Sequence, residues 1–302
     1  MGSVVEVKGL TKSYGDIRAV DSLDLDIAEG EIFGFLGPNG AGKTTTIKSI
    51  MGLLRPTAGT IRVMGEELDS NRRAATSKIG YLPENVDLYG NLTGRETLKF
   101  FADLRGASRQ EVDELLGKVN LQYASDRKVG EYSKGMAQRL AFAQALVGKP
   151  PLLILDEPAS GLDPEGTTQI KKMVKDYVDG SRTVFFSSHI LPNVQEVADR
   201  VGIIVEGRLR ALDSVYELRK RLDIPSKLTL TISRDYEEIR DELKDISPIK
   251  KFRGRGSRVE VICDQTDKKK VMDLLENEGI DILDFSSEEG DLEDIFMRFM
   301  KG

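Results

Sequence analysis

The sequence predicts an α/β protein in two parts: a large core on a parallel sheet, then a small α+β unit. Three observations carry that reading. Continuous apolar runs at Ile32–Leu36, Leu152–Leu155, 184–186 and 201–205 are separated by helix-period segments, the pattern of strands buried on both faces of a parallel sheet. Ahead of them, Leu23, Leu25 and Ile27 alternate with polar or acidic residues, the period-2 mark of half-buried strands, so antiparallel strands are expected at the N-terminus. Beyond a turn-forming stretch at 223–226, strand and helix signals continue on a shorter scale.

Each element has its own signal. Val4, Val5 and Val7 open the chain as a strand. Ile32–Leu36 ends in Gly37, a buried strand feeding a turn, and a helix is expected from just after Gly42 to about Leu54, before Pro56. Thr93 with Glu96, and Ser108 with Glu111, fit the capping box that satisfies free N–H groups at a helix start. Leu98, Phe101 and Ala102, then Val112, Leu115, Leu116 and Val119, give the apolar faces of those two helices. A further helix opens near Ser133 and carries Leu140, Phe142, Leu146 and Val147. A helical block over about 86–150 is therefore expected inside the α/β core. The first domain is placed at 1–222 and the second at 223–302. The second reads as a strand (228–232), a helix (Tyr236, Ile239, Leu243), a hairpin over 249–263 turning at Gly254-Arg255-Gly256, a second helix (Val271, Leu274, Leu275) and a short closing strand at 280–285. That order suits a ferredoxin-like domain. Leu292, Ile295, Phe296 and Phe299 fall on one face of a final helix.

Composition narrows the function classes. Of 302 residues, 39% are hydrophobic and 31% charged, an ordinary globular balance, and no apolar run approaches a membrane span. No N-terminal leader is expected. The single cysteine, Cys263, reads as a small buried strand residue, and no Cys/His cluster suggests zinc. The net charge is −6, with the excess acid beyond residue 222, which argues against a nucleic-acid backbone as main partner. Lys250, Lys251, Arg253, Arg255 and Arg258 crowd the expected hairpin. They either discourage edge pairing or meet an anionic surface.

Gly37-Pro38-Asn39-Gly40-Ala41-Gly42-Lys43-Thr44 matches the phosphate-binding loop G-x-x-x-x-G-K-[ST] at every fixed position. Glycines let the backbone turn tightly and aim successive N–H groups at phosphates, and the following helix adds its positive end. Lys43 would reach the outer phosphates and the Thr44 hydroxyl a Mg²⁺ ion. The core is thus expected to be a P-loop NTPase fold. Leu152–Leu155 delivers Asp156 and Glu157 to the ligand edge of a parallel sheet, the first suited to hold Mg²⁺ through water and the second to polarise a water.

Three further motifs select among P-loop proteins: Ser133-Lys134-Gly135-Met136-Ala137-Gln138-Arg139, Ser160-Gly161-Leu162-Asp163, and His189 at the end of an apolar strand. With these, residues 4 to about 220 resemble the ATP-binding subunits of ABC transporters. The resemblance implies an ATPase using ATP and Mg²⁺. It assigns Tyr14 to stacking on adenine, and Gly37, Pro38, Asn39, Gly40, Ala41, Gly42, Lys43, Thr44 and Thr45 to the triphosphate. Thr44, Glu84 and Asp156 would serve the metal, and Glu157 and His189 hydrolysis. Ser133 and Gly135 would contact the nucleotide of a second subunit, with Asp163 at the shared interface. Two features depart from the family pattern. The usual Leu-Ser-Gly-Gly-Gln appears as Tyr132-Ser133-Lys134-Gly135-Met136, and Glu84 stands where glutamine is usual.

The implied partners are a second ATPase subunit, the same or different, and a separately encoded transmembrane permease. The implied place is the cytoplasmic face of the membrane. The tail Leu292-Glu293-Asp294-Ile295-Phe296 resembles the C-terminal extension of exporter-like members, so export is expected. The competing reading is a soluble ABC-type ATPase acting on nucleic acid or ribosomes. Against it, the chain has one ATPase unit, no cysteine cluster and no heptad run.

Overall fold

Strand alternation, apolar runs and caps sort the chain into two units, Met1–Ser214 and Val215–Gly302. The computed structural model describes residues 2–222, 225–288 and 292–301. The first unit opens with β1 (Ser3–Tyr14) and β2 (Ile17–Ala28), long antiparallel partners. The fully buried β3 (Ile32–Leu36) follows, then α1 (Lys43–Ile50), β4 (Ala58–Val63), β5 (Glu66–Glu67), α2 (Leu68–Ser77) and β6 (Ile79–Leu82). α1 stops four residues short of the expected Leu54 because Gly52 takes φ +64°, a left-handed turn that ends the helix.

The helical block is α3 (Gly94–Arg105), α4 (Arg109–Lys118) and α5 (Lys134–Leu146). Thr93 forms the full capping box with Glu96; Ser108 caps α4 without the expected box, because the Glu111 carboxylate instead accepts from Gly148 N at 2.7 Å, and Ser133 caps α5. The chain then returns to the sheet through β7 (Leu152–Leu155), α6 (Pro164–Tyr177), β8 (Thr183–Ser188), α7 (Leu191–Gln195), β9 (Arg200–Val205) and β10 (Arg208–Asp213).

Two sheets result. One is antiparallel, in the order β2-β1-β4-β5; the other runs β10-β9-β3-β8-β7-β6, parallel except for the edge strand β10. One core joins them, with Val5, Leu23 and Ile27 on one side, Phe33, Phe35 and Phe185 on the other, and Ile47 and Ile50 of α1 in the same cluster. The Phe185 ring packs on Phe33 and Phe35 at centroid distances of 5.8 and 5.7 Å. Truncating such a ring costs about 3–5 kcal/mol. Because β3, β6, β7 and β8 are mutually parallel, all four deliver their following residues to one edge of the sheet.

The second unit contains α8 (Val215–Arg221), β11 (Ser226–Ile232), α9 (Tyr236–Asp245), β12 (Ile249–Arg255), β13 (Arg258–Cys263), α10 (Lys268–Asn277), β14 (Ile282–Glu288) and α11 (Leu292–Lys301). Its sheet order β12-β13-β11-β14, all antiparallel, is the ferredoxin-like arrangement. The unit begins before α8, which packs on α11. Asp223 and Ile224 of the expected linker lie outside the described residues, and Ser226 already belongs to β11. The hairpin turn is Gly256-Ser257 rather than Gly254-Arg255-Gly256. Gly254 stays in the strand because Tyr236 packs over it: a Cβ there would lie 2.5 Å from Tyr236 Cδ2. Cys263 is buried in β13. On α11, Leu292 and Ile295 are buried and Phe296 and Phe299 half-buried.

Candidate active site

The loop from Gly37 to Gly42 can exist only with glycine at its ends. A Cβ on Gly37 would sit 2.5 Å from Ile204 O, and one on Gly42, at φ +108°, 2.5 Å from Ala19 O. Gly40 takes φ +80° with open space around it. The loop is tied down by Ala41 N donating to Pro38 O and Gly207 N to Ala41 O. It forms one wall of a cleft of about 260 Å³ whose lining includes Asn39, Lys43, Thr44, Thr45, Glu84 and Glu157. Three separate strands feed this cleft: β3 the loop, β6 Glu84 and β7 Glu157.

Lys43 is buried. Its Nζ donates to Gly37 O at 2.7 Å and to Pro38 O at 3.3 Å, and lies 3.3 Å from Glu157 Oε1. The other oxygen, Glu157 Oε2, is 2.9 Å from His189 Nδ1. One carboxylate thus bridges the loop lysine and the strand-end histidine. Glu157 is held there by an unusual backbone, φ +49° in a residue with a Cβ. Such a conformation costs about 1–3 kcal/mol and persists where its surroundings enforce it.

Part of that enforcement is Ser187, which the sequence reading missed. Its Oγ accepts from Glu157 N at 2.9 Å and donates to Asp156 Oδ1 at 2.6 Å. The second oxygen of Asp156, Oδ2, is buried with no hydrogen-bond partner. Such an orphan is costly unless something completes it. The negative edge also reaches Tyr81, whose phenol is pushed up to about 12 by burial first and by Asp156 and Glu84 second. Gln138, also missed, donates from Nε2 to Pro158 O at 2.9 Å and ties α5 to the loop leaving Glu157. A serine near the end of an apolar strand, two residues before the single histidine, was the available signal for Ser187. Gln138 had none, since a buried glutamine inside a helix looks like a surface one in sequence.

Other expected residues lie elsewhere. Tyr14 is absent from the cleft lining; its half-exposed ring carries Lys12 Nζ at 5.2 Å from the centroid. Ser133 and Gly135 stand at the start of α5, where Ser133 Oγ accepts from Met136 N at 3.2 Å. Asp163 caps α6 by accepting from Gly166 N at 2.7 Å. The two loops adjoin: Lys134 Nζ lies over Gly161, and Leu162 Cδ2 would be 3.8 Å from a Cβ on Gly135. None of these three lines the cleft that Lys43 and Glu157 share.

Comparison with known proteins agrees with the geometry. The sequence profile described as ABC transporter matches residues 20–160. The bacitracin transport ATP-binding protein BcrA of Bacillus licheniformis is 36% identical, over 100% of this chain and 99% of its own. A fluoroquinolones export ATP-binding protein of Mycobacterium tuberculosis is 36% identical, over 98% and 92%. Among solved structures, an ATP-binding subunit of an ABC transporter superposes with TM-score 0.67 at 30% identity, over 72% of this chain and 93% of that one. A dimeric ATP-binding cassette in a post-hydrolysis state, bound to ADP and Pi, superposes with TM-score 0.64 at 26% identity, over 70% and 98%. These relatives support the transport reading and not the nucleic-acid one. The phosphate loop, the strand-end carboxylates and the full-length similarity together make the chain an ATP-binding, ATP-hydrolysing subunit of the ABC transporter family.

Proposed function

We propose that two such chains, or this one and a related partner, close over ATP and that hydrolysis reopens them to drive export through a separate membrane-spanning permease. One observation carries the reading: Glu157 sits between Lys43 and His189 in a cleft walled by the phosphate loop, while Ser133 and Asp163 lie outside that cleft. A lone subunit therefore offers half a site. The loop N–H groups and Lys43 bind the triphosphate, with Thr45 beside them. Tyr14 would meet the adenine after parting from Lys12. Ser133 Oγ keeps its proton while capping α5, so it can still donate to a phosphate oxygen; with Gly135 it is assigned to the nucleotide of the second subunit.

Glu157 accepts the proton of the attacking water. His189, on the other oxygen of Glu157, orients that carboxylate and reaches toward the terminal phosphate. Asp156, Thr44 and Glu84 fit a Mg²⁺ ion: Asp156 Oδ2 is buried and unpartnered, and the other two line the same cleft. The ion would supply charge neutralisation at the outer phosphates.

The permease contact is assigned to the exposed aromatic patch of the helical block. Tyr89, Phe100 and Leu104 are exposed, and Tyr89 meets Phe100 edge-on at 6.3 Å. Clustered exposed apolar side chains are candidates for a protein contact. Export is the direction named for the Mycobacterium tuberculosis relative, and the proposed working place of the chain is the cytoplasmic face of the membrane. Co-expression with the multi-span protein of a neighbouring gene tests this. The expected result is a co-purifying complex that Phe100→Glu with Leu104→Glu disrupts while ATP binding by the free subunit persists. Absence of any membrane partner would contradict it.

A further inference from the structure

Among the described residues, the core of the ferredoxin-like unit lies on one face of its sheet. Leu228, Leu230, Ile232, Val259 and Val261 point into the core with α9 and α10. On the opposite face Lys251, Arg253, Arg255, Arg258, Asp284, Ser286 and Glu288 are exposed while Thr229 at its centre is buried, and its registers define three rows across the strands. The first is Lys251, Ile262, Lys227, Glu288; the second Arg253, Glu260, Thr229, Ser286; the third Arg255, Arg258, Thr231, Asp284. Charge is sorted across this face. The β12 edge carries only cations and the β14 edge carries only acids and a serine. Lys227 pairs with Glu260 and Glu288, and Arg253 with Glu260. Lys251, Arg255, Arg258 and Asp284 have no ion-pair partner among the described residues. Arg255 and Arg258 moreover stand directly opposite one another, a like-charge pairing that destabilises a hairpin unless something neutralises it.

We propose that this face docks on the same face of a second copy of the chain. A two-fold axis parallel to the strands lays β12 of one copy over β14 of the other and leaves each row in register. Lys251 then faces the partner's Glu288 and Arg255 faces the partner's Asp284, each twice by symmetry. Arg258 meets the partner's Thr231, and in the middle row Arg253 meets the partner's Ser286. No like charges face each other. The axis keeps the two sets of strands nearly aligned, the ordinary geometry for stacked sheets about 10 Å apart. An axis across the strands would instead put cation on cation. The arrangement is isologous, so it closes as a dimer and does not run on as a fibre. It extends the two-subunit reading to the second unit and is tested separately from it.

The test uses the full chain with Arg253→Cys and Ser286→Cys, positions that face each other across the interface and leave the four new ion pairs intact. Native Cys263 is buried, and burial pushes its thiol pKa up; the parent chain reports its background. A short bismaleimide is applied without nucleotide, and with ATP and Mg²⁺ in the Glu157→Gln background. A covalent dimer well above the parent is expected. Arg255→Asp should cut its yield about fivefold or more, and adding Asp284→Arg should restore it, because the swap rebuilds the pair with opposite signs. No dimer, or yields indifferent to both reversals, overturns the proposal. If Glu157→Gln sediments as an ATP dimer but no cross-link forms, this face is wrong and the nucleotide reading stands. A charge-dependent cross-link without an ATP dimer would show the converse.

Discussion

Ser187 shows how much a single hydroxyl can organise. It holds the Glu157 backbone in its left-handed turn and fixes one oxygen of Asp156, leaving the other free for a metal. Ser187→Ala leaves a buried N–H without its acceptor and a carboxylate without its donor, so a loss of about 1–3 kcal/mol in urea unfolding is expected. The turnover number should fall while the KM for ATP stays near its parent value, since the triphosphate wall is untouched. Equal losses in binding and turnover would place Ser187 in binding instead. Gly42 makes the opposite case, where a methyl is too much. Gly42→Ala drives a Cβ against Ala19 O at an unfavourable φ. Loss of ATP binding and about 2 kcal/mol or more of stability are expected, read by calorimetry and unfolding. The glycines, Lys43, Glu157 and His189 were legible because their chemistry fixes both residue type and spacing. Ser187 was not, because its role exists only once β7 and β8 lie side by side.

At the scale of elements, helix starts were the most legible features. Thr93, Ser108 and Ser133 all cap their helices, although of the two expected capping boxes only that of Thr93 and Glu96 closes. Thr93→Ala removes the cap of α3 and should cost about 1 kcal/mol, or about 2–4 °C in Tm for a domain this size. The Thr93 N–H, and then its hydroxyl, hold the Glu96 carboxyl below its ordinary range. That stabilisation is complete above the unfolded carboxylate value and is lost as pH falls through the lowered folded value. Alanine keeps the N–H, so only the hydroxyl's share of the gap between Thr93→Ala and its parent should narrow on acidification, as thermal unfolding at a series of pH values would show. Helix ends and turns were less legible. α1 stops at a left-handed glycine, and Gly254 is kept in β12 by Tyr236 from another element. Four-residue β6, which brings Glu84 to the site, is too short for periodicity to announce.

Across the whole molecule, sequence patterning gave the order of layers because buried parallel strands and antiparallel edges differ in period. It did not show that α8 joins the second unit, which depends on its packing with α11. Nor could composition reveal the sorted charge of the polar ferredoxin-like face, since that appears only when four strands are set in register. The site itself is distributed on the same scale: Lys43, Glu157 and His189 converge, whereas Ser133, Gly135 and Asp163 gather at a different surface. On the proposed reading, a nucleotide held by the first set meets the second set of another subunit. Sedimentation of the full Glu157→Gln chain tests this most directly. Loss of the general base should slow hydrolysis about 10²–10⁴-fold and trap the closed state. The expected result is a dimer that requires both ATP and Mg²⁺ and is weakened by Ser133→Arg. A monomer under every nucleotide condition, with ATP demonstrably bound, would contradict the half-site account.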